Sequence, residues 1–311
     1  GMVLSVAVLL GIWPAGCFSL LWFLYLSIIS VGVTFMSFQW DNLLLETGLL
    51  AVFFAPWCWT DRGPRKTGVS TLALWLLRLL LLKLMFLSGV VKLTSGDKTW
   101  QDLSAVSYHY MTQPLPNPLS WYFYQLPLWF QRCSTVIMFC IELIVPFCIF
   151  CPRRMKMTGF FLLTGLQFLI LLTGNYTFFN MLTVGLCLLL LDDQMLEPAL
   201  KQVMPTRWFE RVRGRQSMAS AGKVLIWTHR VLLSAWTAAI VTVSLVIFAR
   251  MSPDSFVRTR VLTPIVKAVA PLSSVNSYGL FAVMTTKRVE IVVEGSDDGI
   301  HWKPYTFKHK P

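Results

Sequence analysis

Apolar residues are clustered along this chain in long runs that few polar residues interrupt. A helix needs about 20 apolar residues to cross a bilayer, and the runs at 15–38, 71–91 and 223–248 approach or exceed that length. The pattern therefore predicts a polytopic membrane protein. Its eight apolar segments are 2–13, 15–37, 42–57, 70–91, 134–151, 157–173, 177–191 and 223–249.

Two of these segments call for a different interpretation from the others. Segment 42–57 is short and begins with charge, at Asp41 and Glu46, so we interpret it as a re-entrant or partial span. Segment 2–13 lacks a basic region before it and a cleavage site after it, so we interpret it as the end of a span and not as a signal peptide.

The hydrophobic period changes from helical to alternating after Arg250. Residues 288–294 alternate as a strand, 295–300 have the composition of a tight turn, and 301–307 alternate again, which predicts a β-hairpin. The chain is therefore expected to contain an all-α polytopic membrane bundle over 1–250. The start of a β-rich, sandwich-like luminal domain, present only in part, is expected over 251–311.

Charge distribution predicts the orientation of the bundle. Only 14% of the 311 residues are charged, and the net charge of +12 resides mostly in short loops beside apolar segments. Because this is the positive-inside pattern and not a basic nucleic-acid surface, we expect membrane lipid and no nucleic acid as a partner. The cytosolic loops are expected to carry Arg62, Arg65, Lys66, Arg153, Arg154, Lys156, Lys201, Arg207, Arg211, Arg213 and Arg215.

The opposite, luminal side should then hold loop 92–133, turn 174–176 and everything after Arg250, with 192–222 as a basic cytosolic loop. Loop 92–133 is rich in aromatic residues, which suit a membrane interface and argue against disorder. Its prolines at 114, 116 and 118 are expected to interrupt any helix. We expect residues 86–110 to form one folded element, in which Gly89 permits close helix packing and the aromatic residues Trp100, Tyr108 and Tyr110 cover a turn at Gly96 and Asp97.

Four ionisable residues lie inside apolar segments, namely Glu46, Arg78, Lys83 and Glu142. A charge at the bilayer centre costs about 2.5–3.5 kcal/mol on insertion scales. We therefore predict that Arg78 or Lys83 pairs with Glu46 or Glu142. A polar substrate cavity and snorkelling to the interface remain alternatives.

A second polar group lies at the predicted luminal boundary. It contains Lys92, Asp97, Asp102 and His109. Lys92 is expected to pair with Asp97 or Asp102 as a structural anchor; without a carboxylate partner it could lose its proton and act as a base, with His109 as a second candidate. Nothing in the pattern indicates a metal or cofactor.

Residues 175–177, Asn-Tyr-Thr, form an N-glycosylation sequon in a very short turn, which makes Asn175 a candidate glycosylation site close to the membrane.

Several strings resemble the lipase maturation factor family, in order along residues 15–311. They are FQWDNLLLETG at 38–48, GVVKLTSGDKTW at 89–100, YHYMTQPLPNP at 108–118, GNYTFFN at 174–180, LDDQ at 191–194, NSYGLF at 276–281 and VEGSDDG at 293–299. The turn and the hairpin string are closer to the type 2 members than to the type 1 members. Met111 stands where the family usually has Glu.

The resemblance implies a multi-pass membrane protein of the endoplasmic reticulum with a luminal C-terminal domain. It implies a non-enzymatic role in bringing secreted clients, such as lipoprotein lipase, to an active, assembled state. Residues 86–110 also resemble, more faintly, the luminal-edge stretch of vitamin K-dependent γ-glutamyl carboxylase, whose lysine acts as a base. On that match Lys92 would take the lysine's place, which keeps a membrane-embedded enzyme open as the alternative function.

Overall fold

The structure, a computed structural model, describes residues 1–57, 70–113, 115, 117–203, 223–250, 263–289 and 291–306. Most of the basic residues that predict the orientation of the bundle lie outside the described residues, namely Arg62, Arg65, Lys66, Arg207, Arg211, Arg213 and Arg215. Pro114 and Pro116 lie outside them as well.

Each of the eight predicted apolar segments contains a helix. The helices are α1 (Met2–Leu9), α2 (Pro14–Gly32), α3 (Gln39–Phe54), α4 (Thr71–Thr94), α5 (Lys98–Gln101), α6 (Ala105–Thr112), α7 (Pro118–Tyr124), α8 (Leu128–Leu143), α9 (Arg153–Thr173), α10 (Phe179–Leu188), α11 (Asp193–Val203), α12 (Lys223–Arg250) and α13 (Thr263–Val269). Short 3₁₀ helices at Val33–Met36, Val145–Phe150 and Ala270–Leu272 extend α2, α8 and α13.

Five of the described helices are long and apolar enough to cross a membrane: α2, α4, α8 with its 3₁₀ extension, α9 and α12. The 16-residue α3 is shorter than the helices of that group, and α10 is a shorter apolar helix. The most apolar part of α4 is 61% buried, against 17–28% for the other four. The protein is thus a helical membrane protein in which α4 is the best-covered span.

The chain divides into two compact units, 1–84 with 185–278 and 85–184 with 279–311. In the first unit α2 packs along α3, and the Tyr25 hydroxyl on α2 donates to the carboxylate of Asp41 on α3. The Trp22 indole N–H, also on α2, donates to Ser274 Oγ over 3.0 Å. The Trp22 hydrogen bond ties a segment that follows α13 to α2.

In the second unit, α8, its 3₁₀ extension and α9 pack together, and α6 packs on α7 and α8. Gly89 of α4 makes close packing possible, as expected from the sequence. A Cβ at this position would lie 2.7 Å from Leu143 Cδ2 and 3.2 Å from Glu142 Cβ. Any larger residue would push α8 away.

Loop 92–133 contains three short helices, α5, α6 and α7, although its prolines were expected to interrupt any helix. Pro118 begins a helix instead of interrupting one: it occupies the first turn of α7, where its missing N–H is harmless. The side chain of Asn117 caps the same helix by accepting from Leu119 N over 2.9 Å.

The predicted hairpin is present but much shorter than expected. Antiparallel strands β1 (Glu294–Gly295) and β2 (Lys303–Pro304) pair Glu294 with Pro304 and Gly295 with Lys303. Earlier in the predicted strand, Val289 and Ile291 are almost fully exposed. Because an isolated two-stranded hairpin is marginal without a third strand or a packed face, the pattern yields a short ladder here, and the described residues do not confirm a β-sandwich-like domain.

Candidate functional site

The ammonium group of Lys92 binds both carboxylate oxygens of Glu142, at 2.8 and 2.7 Å. Both side chains are buried. The expected partners, Asp97 and Asp102, are therefore wrong: an ion pair forms, but with a residue of α8. The sequence could not show this, because the two residues are 50 positions apart and only helix packing brings them together.

Gly89 explains why this pair can form. It lies one turn before Lys92 on α4, and positions three apart share a helix face. Since Gly89 has no side chain, α8 approaches α4 at Glu142 and Leu143, which places the Glu142 carboxylate within reach of Lys92.

Trp100 covers the ion pair. The Lys92 Nζ atom lies 5.5 Å from the centroid of the Trp100 ring, within the range of a cation–π contact. Trp100 is itself held by an edge-on contact with Phe139 and by a 2.9 Å hydrogen bond from its indole N–H to the Phe281 carbonyl. An apolar cluster of Trp100, Ala105, Phe139 and Met284, with Tyr108 packed against it, excludes water from this side.

Asp97 and Asp102 instead fix the backbone of the loop. Asp97 caps α5 by accepting from Thr99 N over 2.8 Å, and its other oxygen accepts from Met284 N over 2.6 Å. Burial opposes ionisation of Asp97, but these N–H donors outweigh it and lower its pKa. Asp102 accepts from Ser104, which lowers the pKa of Asp102 as well.

His109 forms a second polar contact in the same unit. Its Nε2 atom lies 3.0 Å from the Tyr176 hydroxyl, and its ring meets Phe281 edge-on. Burial, together with the smaller effect of the nearby positive charge of Lys92, lowers the pKa of His109 from 6.5 to about 4. Burial raises the pKa of Tyr110 to about 12 and that of Tyr176 still higher. The imidazole is thus neutral and the phenols protonated at physiological pH.

The segment 281–288 is anchored to the loop at several points, which the sequence did not indicate. Besides the contacts of Phe281 and Met284, Thr112 Oγ1 donates to the Thr285 carbonyl over 2.8 Å and Arg288 Nη1 donates to the Thr112 carbonyl over 2.9 Å. The only indication in the sequence was the motif NSYGLF at 276–281, which resembles the family but suggested no contact with the loop.

Glu46 is the centre of a separate buried group in the first unit. Lys83 pairs with its Oε1 atom, one of the pairings expected from the intramembrane charges. Its Oε2 atom accepts from the Tyr278 hydroxyl over 2.8 Å and from Asn276 N over 3.0 Å. Burial raises the pKa of Tyr278, and the Glu46 charge adds to that effect, so the phenol remains a donor.

The remaining predicted site residues lie apart from these pairs. Arg78 donates to the Leu189 carbonyl over 2.8 Å and lies over the Trp75 ring. Asn175 is exposed in the turn between α9 and α10, beside the positive-φ residue Thr177. Among the described residues there is no group of three or more His, Cys, Asp or Glu that could hold a metal ion.

Comparisons with known proteins agree with the sequence resemblance. The profile of the lipase maturation factor transmembrane domain matches residues 1–198, and that of the lipase maturation factor C-terminal domain matches residues 274–311. The chain is 35% identical to mouse lipase maturation factor 2 over 94% of the chain and 54% of that relative. It is 46% identical to the Xenopus tropicalis protein of that name over 71% of the chain and 31% of the relative.

Mouse lipase maturation factor 1 is 32% identical over 94% of the chain and 51% of that relative. The chain spans about half the length of the mouse relatives it matches. No solved structure matches it.

Proposed function

The chain belongs to the lipase maturation factor family, and we propose that it is a membrane scaffold of the endoplasmic reticulum that assists the folding, assembly and secretion of client proteins such as secreted lipases. The clients would contact the face made by loop 92–133 and the segment 281–288. In this proposal the protein acts by binding clients on a folded surface, and no side chain takes part in a chemical reaction.

The observation that supports the proposal most directly is that Lys92 is buried in an ion pair. Its ammonium binds both oxygens of Glu142 and is covered by Trp100. A buried lysine that contacts both oxygens of one carboxylate has the geometry of a structural ion pair. The pair supports the loop from beneath, and the loop in turn holds the segment 281–288.

The proposal includes an orientation. We propose that 92–133 and the residues after Arg250 face the lumen, that the basic loop 192–222 faces the cytosol, and that 251–311 begins a luminal β domain. The basic residues Arg153, Arg154 and Lys156, at the start of α9, support the cytosolic assignment of that end. Asn175 would then be a luminal glycosylation acceptor, which its exposure allows.

The alternative is a membrane-embedded enzyme in which Lys92 acts as a base. The observation in its favour is the neutral His109, which is hydrogen-bonded to Tyr176 near the Lys92 charge and could relay a proton. The two functions make different demands on Lys92. A scaffold needs only a side chain that fills this position and leaves no buried charge unpaired, whereas a base needs an amine here.

The test measures secreted lipase activity in cells that lack the protein, after rescue with variants at matched expression. The scaffold proposal expects Lys92→Arg to retain most activity and Lys92→Ala to lose it. It also expects the double variant Lys92→Met with Glu142→Leu to retain activity, because replacing a buried pair with apolar residues of similar volume is often neutral. Lys98→Ala is the matched control, since Lys98 is exposed in the same loop.

Loss of lipase activity in both the Lys92→Arg and the double variant, with the membrane protein still folded, would replace the scaffold by the enzyme. Full lipase activity in cells lacking the protein would contradict a role for secreted lipases as clients.

A further inference from the structure

Four cysteines lie along the span that α8 and its 3₁₀ extension form, at positions 133, 140, 148 and 151. The apolar span ends at Phe150, so Cys151 is the one of these four that lies beyond it. Cys133 and Cys140 are exposed within the span, where an exposed side chain meets acyl chains. Cys151 instead lies where the hydrocarbon layer meets headgroups and water, within reach of a water-soluble reagent.

Cys148 and Cys151 form a pair in which the two thiols face different surroundings. Residues three apart in a 3₁₀ helix lie on the same side, and the two side chains contact each other. Cys148 packs against α9, because a Cβ at Gly159 would lie 2.9 Å from Cys148 Cβ and 3.5 Å from its Sγ. The partly exposed Cys151 donates only a long hydrogen bond, of 3.7 Å, to the Phe147 carbonyl. Cys151 is thus the thiol of the pair that is open to reaction.

Basic residues follow Cys151 directly. Arg153, Arg154 and Lys156 lie in the first turn of α9, and both arginines are exposed. Such a cluster beside a span is typical of the cytosolic side, in agreement with the orientation proposed above. It also gives this edge of the span a positive potential, which attracts polyanions from the cytosol.

An exposed apolar surface runs from Cys151 into the bilayer. Phe150, Phe147 and Ile144 are exposed by 59%, 43% and 67%, and they extend about 12 Å from Cys151 at 1.5–2.0 Å per residue. A hydrocarbon chain attached to the Cys151 sulfur would lie along these side chains. The regular helix ends at Leu143 and the span continues as a 3₁₀ helix, whose hydrogen bonds are weaker, so an attached chain would anchor the least regular end of the span.

We propose that Cys151 is S-acylated by a long-chain fatty acid at the cytosolic edge of the membrane, with acyl-coenzyme A as the donor. The Cys151 sulfur attacks the thioester carbonyl of the donor, so that a new carbon–sulfur bond forms and the bond to coenzyme A breaks. The proton lost by Cys151 ends on the coenzyme A thiol. A cysteine beside a membrane span is a usual acceptor of this reversible modification. The inference rests on the proposed orientation and not on client binding.

The experiment expresses the full-length protein in cells fed an alkynyl fatty acid and measures the label per protein, before and after hydroxylamine, which cleaves thioesters. Cys58 lies outside the described residues and is replaced by serine in every variant. The proposal expects a hydroxylamine-sensitive label that Cys151→Ser removes. Cys140→Ser is the matched control, since Cys140 is an exposed cysteine of the same span, and it should keep the label.

Mass spectrometry locates the label without any substitution among the four cysteines. One tryptic peptide, 133–153, contains all four, and its fragment ions should place the acyl group on Cys151. An acyl group on another of the four, an unlabelled protein, or a label that persists in Cys151→Ser would overturn the site.

A second arm separates this modification from the orientation on which it rests. After hydroxylamine treatment, a membrane-impermeant maleimide is added to cells in which only the plasma membrane has been opened, and its reaction with Cys151 is measured in the same peptide. Reaction with Cys151 in a protein that carried no acyl label would overturn the acylation and leave the orientation standing. Reaction only after the endoplasmic reticulum membrane is opened as well would overturn the orientation and this site together.

Discussion

Glu46 and Glu142 are both buried carboxylates paired with a lysine of α4, but their remaining partners differ. Glu46 divides its oxygens between Lys83 on one side and Tyr278 and Asn276 on the other. Glu142 gives both oxygens to Lys92, and the described residues offer it no other side-chain donor. The first pair is the centre of a network, whereas the second is an exclusive contact.

The two buried lysine–glutamate pairs therefore have different structural roles. At Glu46 the carboxylate also binds Tyr278, more than 200 positions away, so it holds a distant chain segment in place. At Glu142 the pair fastens α8 to α4 beneath the folded loop, and Trp100 protects it. A network tolerates the loss of one member better than an exclusive pair, because the buried carboxylate keeps other donors.

The sharpest test of this comparison removes each lysine in turn. Lys92→Met should lower the free energy of unfolding by about 3–5 kcal/mol, since it leaves Glu142 buried without its partner. Lys83→Met should cost about 2 kcal/mol less, because Tyr278 and Asn276 still donate to Glu46. Unfolding in SDS titrations of the detergent-solubilised protein measures both.

Adding Glu142→Leu to Lys92→Met is the control for that measurement. The double variant should recover most of the loss, because no unpaired charge remains. Equal losses for Lys83→Met and Lys92→Met would show that the network gives Glu46 no advantage.

Acid should weaken the Lys92 region through His109. The folded-state pKa of about 4 lies below the ordinary 6.5, so the unfolded chain binds the proton more readily. The stability from this group is complete above pH 6.5 and is lost as the pH falls towards 4, by up to about 3 kcal/mol. His109→Gln should flatten the pH dependence of thermal unfolding over that interval. An unchanged slope in His109→Gln would assign the acid sensitivity to other groups.

The smallest expected effect tests the network around Glu46. Tyr278→Phe removes one hydroxyl donor and should lower the free energy of unfolding by about 1–2 kcal/mol. Tyr122→Phe, which removes a hydroxyl from an exposed residue, should change it by less than about 0.5 kcal/mol. If both substitutions had the same effect, the hydrogen bond to Glu46 would contribute nothing specific to folding.

The helices and the membrane spans could be predicted from the pattern of apolar residues along the chain. All eight apolar segments contain helices, because a long apolar run in a bilayer must satisfy its backbone hydrogen bonds within itself. The loop was harder to predict. Proline at 118 suggested an interruption, yet the same residue begins α7, because the effect of a proline depends on whether it falls in the first turn or the interior of a helix.

The candidate site shows the same division. That Lys83, Glu46, Lys92 and Glu142 needed partners followed from their residue types alone, since unpaired charge in hydrocarbon is costly. Pairing of Lys83 with Glu46 was among the possibilities derived, but the choice of Glu142 for Lys92 was not. Asn276, Tyr278 and Tyr176 were missed as partners, because a hydroxyl or amide in a loop gives no periodic signal.

Composition and residue pattern were thus sufficient for the class of protein, the number of apolar segments and the list of charges that had to be satisfied. Those properties are local: each depends on a residue and its near neighbours in a uniform solvent. Tertiary structure alone chose which lysine meets which glutamate and which phenol joins them. These depend on how closely helices approach, and at Gly89 the absence of a single side chain sets that distance.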